Sequence, residues 1–231
     1  RKIYDGPILA KDFIVDLRQV AEARRHGADA VLAMLSVLDD GEARAVMAEA
    51  ERLGMDVLVE AHSEAEVRRA VALGAGIIGI NNRNLKTLED DLATTERLVR
   101  LVSGGRILVS ESGMGSRADV ERLSAFADAF LVGSSLMRSD DPARAARELA
   151  FGRVKVCGLT DAHDVALAAE SGATYAGLVM VPNTPRAVSA NAARATVAAS
   201  DGIRFAGVFR NEKVMQVALT ARALALGVVQ L

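Results

Sequence analysis

The sequence is poor in several things, and each shortage excludes something. It has one cysteine, Cys157, in 231 residues, so no disulfide can form within the chain and the expected compartment is the cytoplasm. It has no tryptophan, and aromatic residues make up 3%. The core must therefore come from Ala, Leu and Val, which suit helices packed closely over strands. No apolar run approaches the roughly 20 residues of a spanning helix, and the ordered regions of a signal peptide are missing. Charge of one sign is missing too. The 28 basic and 30 acidic residues are interspersed, for a formal net charge of -2, with neither the basic stripe of a nucleic-acid binder nor a polybasic membrane patch. A small anionic metabolite is the expected partner. His26, His62 and His163 lack metal-ligand spacing and read as surface or helix residues, so no metal or cofactor is expected.

What is present is a globular composition, 51% hydrophobic and 25% charged, enough for a sizeable core, and a regular alternation. Residues 7–13 (PILAKDF) read as a buried strand carrying Lys11 near its C-terminal end, with Asp16 as N-cap of a helix that Gly27 stops. The apolar run 30–38 is too short for a buried helix and reads as strand. Asp40 is the expected N-cap of the next helix. Strand 56–60 ends on Glu60, and Ser63 with Glu66 reads as a capping box. Strands 77–80, 107–109 and 130–132 follow, with helices between them. The Asp141-Pro142 pair opens a short helix as N-cap and first helical residue, and four more strands begin near Val154, Tyr175, Phe205 and Val228. Helices separate strands at βαβ spacing, so the chain is expected to be α/β with parallel strands, of (β/α) TIM-barrel type. Ten strands are too many for one eight-stranded barrel and too few for two.

Polar residues gather at the strand C-termini: Lys11, Glu60, Asn81, Arg83, Glu111, Ser112, Ser134, Cys157 and Arg186. In a barrel those ends converge on one mouth. Taken singly, each has a plainer reading. A lone Lys at a strand end is more often a rim charge, Asn81 and Asn82 can simply turn the chain, and Cys157 can be a small buried hydrophobe. Lys11 and Glu60 together form an acid and base couple whose pKa values burial can separate. Gly113 and the Gly133-Ser134 turn, on successive strands, offer backbone amides to a phosphate. Asp39-Asp40 reads as a helix start rather than a metal pair.

The runs ILAKDFIVD, AMLSVLDD, INNRNL, VSESGM and FLVGSSLM, in this order over residues 7–150, resemble indole-3-glycerol phosphate synthase. From Val154, VKVCGLT, NTPRAV, GVFRN and GVVQL resemble phosphoribosylanthranilate isomerase, to which the synthase is fused in a bifunctional enzyme of tryptophan biosynthesis. The resemblance implies a lyase that closes an indole ring on a carboxyphenylamino deoxyribulose phosphate with loss of carbon dioxide and water, joined to an isomerase carrying out an Amadori rearrangement. It assigns the general acid to Lys11, proton transfer in dehydration to Glu60, and substrate orientation to Asn81 and Arg83. Phosphate and sugar-chain contacts fall on Ser112, Gly113, Gly133 and Ser134, and the apolar wall against the anthranilate ring on Phe13, Leu32, Leu85 and Leu131. In the second segment the base is Cys157 and Arg186 belongs to the loop beside it, with Thr184 where the family usually has Ser. The implied partners are small sugar-phosphate anthranilate substrates, and the implied full-length parent is a monomer.

Some family features lie outside the sequence: a first strand with a Glu and a second Lys, and the later part of the isomerase. The expectation is thus a piece, with residues 1–150 supplying the later strands of one barrel and 151–231 the first half of another, and with little or no turnover by itself. Counting suggests a further expectation, that strands near Val154 and Tyr175 fill the vacant places of the first barrel, pairing 175–181 with 7–13. Two rival readings are another phosphate-binding barrel enzyme, such as a sugar-phosphate epimerase or a thiamine-phosphate type synthase, and a non-catalytic phosphate-binding scaffold. Lys11, Glu60 and the Asn81-Asn82-Arg83 run argue against the former.

Overall fold

A computed structural model describes residues 4–200 and 202–231. Contacts divide the chain into two units: one runs through Met114 and resumes from Ala118 to Ser135, and the other holds Gly115–Arg117 and Leu136–Leu231. The first unit contains a sheet of six strands in consecutive order, β1 (Leu9–Ala10), β2 (Ala30–Met34), β3 (Asp56–Ala61), β4 (Ile77–Asn81), β5 (Ile107–Glu111) and β6 (Ala129–Leu131). The second contains β7 (Lys155–Cys157), β8 (Tyr175–Val179), β9 (Arg204–Val208) and β10 (Val228–Gln230), again in consecutive order. Every pairing between these strands is parallel. Consecutive parallel strands joined by helices are the (β/α) barrel-type pattern expected from the alternation.

The expected pairing of 175–181 with 7–13 does not occur. β8 lies between β7 and β9, and β1 pairs with β2. A short helical crossover lays each strand beside its predecessor, and with β7 on one side and β9 on the other both edges of β8 are already paired. The first strand is also shorter than expected. After Ala10 the backbone leaves the ladder because side chains capture its amides: Asp12 Oδ1 accepts from Phe13 N at 2.8 Å, and Gln19 Oε1 accepts from Val15 N and Asp16 N at 2.8 and 2.9 Å.

The helices of the first unit start where short polar side chains cap them. Asp16 caps α1 (Leu17–Arg25) in a capping box closed by Gln19. The cap of α2 (Asp40–Arg52) is Asp39, not Asp40: Asp39 Oδ1 accepts from Glu42 N at 2.8 Å and the Glu42 carboxylate returns to Asp39 N at 2.9 Å. Asp40 is instead a first-turn acid, favourable beside the positive helix end. At α3 (Glu64–Ala72), Ser63 accepts from Glu66 N, but the box stays half made because Glu66 Oε2 accepts from His62 N at 2.7 Å.

Strand alternation divides the core of the first unit into two layers. Val31, Ala33, Val59 and Ile78, all fully buried, pack with Val20, Ala43, Val46 and Ala50 from the helices. Leu32, Met34 and Leu58, with Leu9, Ile77, Val109 and Leu131 packed against them, form a second cluster on the opposite sheet face. Burying each Val, Leu, Ile or Met side chain here contributes about 1.5–3 kcal/mol. In the second unit Val165, Ala176, Leu178, Ala193 and Phe205 make the corresponding core. Among the described residues no helix is long and apolar enough to cross a membrane.

Candidate active site

The face that carries Leu32, Leu58 and Val109 also carries the polar strand ends, because the registers hold them in step. Met34 is level with Glu60, Glu60 with Gly79, and Asn81 with Glu111, which is level with Leu131. Lys11 follows Ala10 at the end of β1 and reaches this row. Its Nζ lies 2.7 Å from Glu60 Oε2 and 3.0 Å from Glu111 Oε2. Both carboxylates are wholly shielded from solvent, and Lys11 is about one third exposed. The Lys11 to Glu60 contact is a directed hydrogen bond. Among the described residues the Glu111 oxygens have no partner in hydrogen-bond geometry, so the attraction of Lys11 to Glu111 is ionic.

Gly79 makes the cluster possible. A Cβ at this position would stand 1.9 Å from Glu111 Oε1. The carboxyl of Glu111 therefore occupies the space above β4 that any side chain would fill.

Asn81 closes the row. Its Nδ2 donates to Glu60 Oε1 at 3.1 Å, and its Oδ1 accepts from Arg83 N at 3.0 Å, which fixes the amide orientation. The neighbouring Asn82 points to the other sheet face and makes a buried knot: Nδ2 donates to Ser110 Oγ and to Ser112 O, and Oδ1 accepts from the backbone and hydroxyl of Thr95. Asn82 is structural.

His62 is not the surface or helix residue expected. It is 10% exposed, with Nε2 3.2 Å from Glu60 Oε1 and Nδ1 3.4 Å from Glu66 Oε2. β3 extends through Ala61, and the bond from His62 N to Glu66 turns the ring back between the two acids. Both ring nitrogens lie off the hydrogen-bond direction, so these too are contacts between charges.

The charge states follow from these neighbours. Burial raises the Glu60 carboxyl, but His62 and then Lys11 lower it further, and it stays well below the usual range. Glu111 is raised, first by burial and then by the negative charge of Glu60, against the opposing pull of Lys11. Two carboxylates this close titrate as a pair, and the shared proton favours Glu111. Burial would lower Lys11, yet Glu111 and Glu60 hold its pKa above the ordinary value. Burial would likewise lower His62, and Glu60 and Glu66 raise it to about 9. The row thus sets a proton donor beside an ionised acceptor, the division of labour that general acid and base chemistry needs.

The remaining candidates lie around this row. Ser112 and Gly113 follow β5 in left-handed backbone (φ 65° and 79°), which turns the chain sharply at the strand end; Gly113 has Asp90 and Leu92 against its open side. Gly133 and Ser134 follow β6, are exposed, and lead into a short helical turn, α6 (Ser134–Met137). The Arg83 guanidinium is held by Asp90 at 2.9 and 3.0 Å. Leu32 and Leu131 belong to the apolar layer under the row, whereas Phe13 and Leu85 are exposed. A cavity of about 560 Å³ is lined by His62, Glu66, Asn81, Arg83 and Leu85, among others.

In the second unit Cys157 ends β7 and is exposed. Arg186 Nη1 donates to Cys157 O at 3.1 Å, and its side chain passes over Gly158, where a Cβ would meet it at 2.6 Å. Arg186 also lines a smaller cavity of about 180 Å³ with Val179, Thr184, Pro185 and Arg210.

Comparison with known proteins adds an independent line. Residues 1–149 match the family model of indole-3-glycerol phosphate synthase, and residues 154–231 that of N-(5'phosphoribosyl)anthranilate (PRA) isomerase. The chain is 46% identical over 225 residues to the tryptophan biosynthesis protein TrpCF of Salmonella typhi, covering 97% of the chain and 50% of that protein. It is 45% identical over 234 residues to its Vibrio parahaemolyticus counterpart, covering 100% of the chain and 48% of that protein. The chain spans about half the length of the curated relatives it matches. A solved structure of KGPDC from Streptococcus mutans superposes with a TM-score of 0.50 at 17% identity, over 63% of the chain and 71% of that structure, a likeness of fold alone.

Proposed function

Since the chain belongs to the indole-3-glycerol phosphate synthase family, with a phosphoribosylanthranilate isomerase segment after it, we propose that the row of Lys11, Glu60, Asn81 and Glu111 serves indole ring closure in tryptophan biosynthesis. The substrate is a carboxyphenylamino deoxyribulose phosphate. The observation that carries the reading is a lysine ammonium fixed between two buried carboxyls at the C-terminal ends of parallel strands.

In this reading Lys11 gives its proton to the carbonyl oxygen as the aromatic carbon attacks the carbonyl carbon. The carbon–carbon bond forms, the carbonyl π electrons take up the proton, and the new oxygen is a hydroxyl. Carbon dioxide then leaves, returning its bonding electrons to the ring. In the last step Glu60 takes the proton from the adjacent nitrogen-bearing carbon, the C–H electrons form the ring double bond, and the hydroxyl, receiving a proton by way of Glu60, departs as water. Asn81 holds Glu60 in place, and the turns after Ser112 and at Gly133-Ser134 take the phosphate on the amides of Gly113, Gly133 and Ser134, the Ser112 amide being bonded to Leu131 O. Arg83 approaches the phosphate end once Asp90 releases it, and Phe13 and Leu131 flank the anthranilate ring. In the second unit Cys157 is the base that removes a carbon-bound proton in an Amadori rearrangement, with Arg186 beside it. The setting is the cytoplasm, and the partners are small molecules.

The test is ring closure by the full-length gene product, followed as gain of indole fluorescence. Lys11→Met and Glu60→Gln each lower kcat by about 10²–10⁴-fold with little change in KM. Rates within threefold of the unsubstituted protein would refute the assignment, and binding without any turnover would favour the scaffold reading.

A further inference from the structure

His62 is used by none of the steps above, yet it is built into the site with care. It is nearly buried, its two ring nitrogens face one carboxylate each, and its own backbone amide holds the farther of those, Glu66, at 2.7 Å. An imidazole with an acid beside each nitrogen is favoured as the cation, because only that form sets a positive charge against both carboxylates. Glu66 is itself anchored by Ser63 at the start of α3. The arrangement runs from a helix start through a cation to the Glu60 carboxylate.

We propose that His62 is a positioning residue: wedged as a cation between Glu60 and Glu66, it holds Glu60 ionised and aimed, so that the proton shared by the two buried carboxyls resides on Glu111. Every charged group facing this chain of contacts bears on it. Lys11 from the end of β1 and Glu111 from β5 meet Glu60, Glu66 meets His62 from α3, and Arg83, Lys86, Glu89, Asp91 and Arg97 border the same cavity. Among the described residues, Lys11 and His62 are the two cations in ionic contact with Glu60, and they act on different oxygens: Lys11 on Oε2, His62 on Oε1. Removing Lys11 takes away the acid as well. Removing His62 takes away the charge that sets the base and leaves the acid in place.

The inference rests on the ring-closure reading only in calling Glu60 the base; the electrostatic part stands apart from it. The test is therefore made first without turnover, by NMR of carboxyl-labelled glutamate in the full chain. In His62→Gln the titration midpoint of Glu60 rises by about 1–3 pH units and that of Glu111 falls. A shift in Glu60 of less than about half a unit overturns the proposal. Should His62→Gln not fold, two readings remain decisive. Both ring nitrogens of His62 carry protons at pH 7.5 in the unsubstituted chain, and Glu66→Gln moves the His62 midpoint downward; a neutral ring at pH 7.5, or an unmoved midpoint, overturns it. In the full-length gene product His62→Gln lowers kcat, leaves KM within twofold, and moves the acidic limb of the kcat profile upward. A kcat profile unmoved by His62→Gln where Glu60→Gln abolishes turnover sinks this inference alone. Full turnover by Glu60→Gln sinks the ring-closure reading and leaves the glutamate titration to decide the rest.

Discussion

The sharpest consequence of the site's packing concerns a residue with no side chain. Gly79→Ala would place a methyl group 1.9 Å from Glu111 Oε1 and 3.2 Å from Leu58 Cδ1. Ordinary contact begins near 3.4 Å, so the carboxyl must retreat by about 1.5 Å (3.4 less 1.9), and no solvent space receives it, since Glu111 is wholly buried. Forced overpacking of this kind costs about 1–3 kcal/mol, against a gain of about 0.4–1 kcal/mol from stiffening the unfolded chain. The expected net loss is about 1–2 kcal/mol by urea unfolding, together with a lowered Lys11 midpoint, because Glu111 is the largest of the influences that raise it. Gly76→Ala is the matched control, as nothing lies within 4 Å of its new methyl. In a Glu111→Ala background the Gly79→Ala penalty shrinks by at least half, a coupling that a double-mutant cycle reads directly. Equal stability of Gly79→Ala and Gly76→Ala, with Lys11 unmoved, would refute the placement of Glu111 over β4.

Other expectations follow from the same contacts. Asn82→Ala strips partners from Ser110, Thr95 and the Ser112 carbonyl and should destabilise the protein by about 2–3 kcal/mol in urea, whereas a loss under about 0.5 kcal/mol would contradict a structural role. Arg69 donates to Leu35 O and Leu38 O at 2.7 Å and meets Asp40 at 2.7 Å, so Arg69→Met should cost about 2 kcal/mol and speed amide exchange in the loop before α2. For pH, the folded His62 pKa of about 9 stands above its unfolded value of 6.5. Its contribution is full below pH 6.5 and is lost as pH rises through 9, up to about 3 kcal/mol. In His62→Gln that alkaline decline flattens, and an unchanged stability curve between pH 6.5 and 9 would contradict it.

The sequence made the strand ends legible because period-two alternation and βαβ spacing leave few other places for Lys11, Glu60 and Asn81. Glu111 is one of the polar strand ends, but nothing in the sequence alone assigns it a role. Its register with Asn81, and the bare Gly79 one strand over, become informative only once the pairing is known. The lack of metal-ligand spacing hides the place of His62 in the site, although the sequence carries a signal for it. It stands two residues after Glu60, hence on the same strand face, and four before Glu66, one helical turn away. The pairing of 175–181 with 7–13 failed because a count of vacant positions carries no energy, while each short crossover from β7 to β8 and from β8 to β9 fixes its own neighbour. Asp39 rather than Asp40 caps α2 because only Asp39 stands three residues before Glu42, and this reciprocal pair outweighs the rank of either acid alone.

The most direct measurement is a crystal structure of the chain with an analogue of the proposed substrate in which a hydroxyl replaces the reacting carbonyl. The phosphate is expected on the amides of Gly113, Gly133 and Ser134, and the hydroxyl that replaces the reacting carbonyl within hydrogen-bond reach of Lys11 Nζ. Ligand bound away from Lys11, with Lys11, Glu60 and Glu111 still locked to one another and untouched, would contradict it.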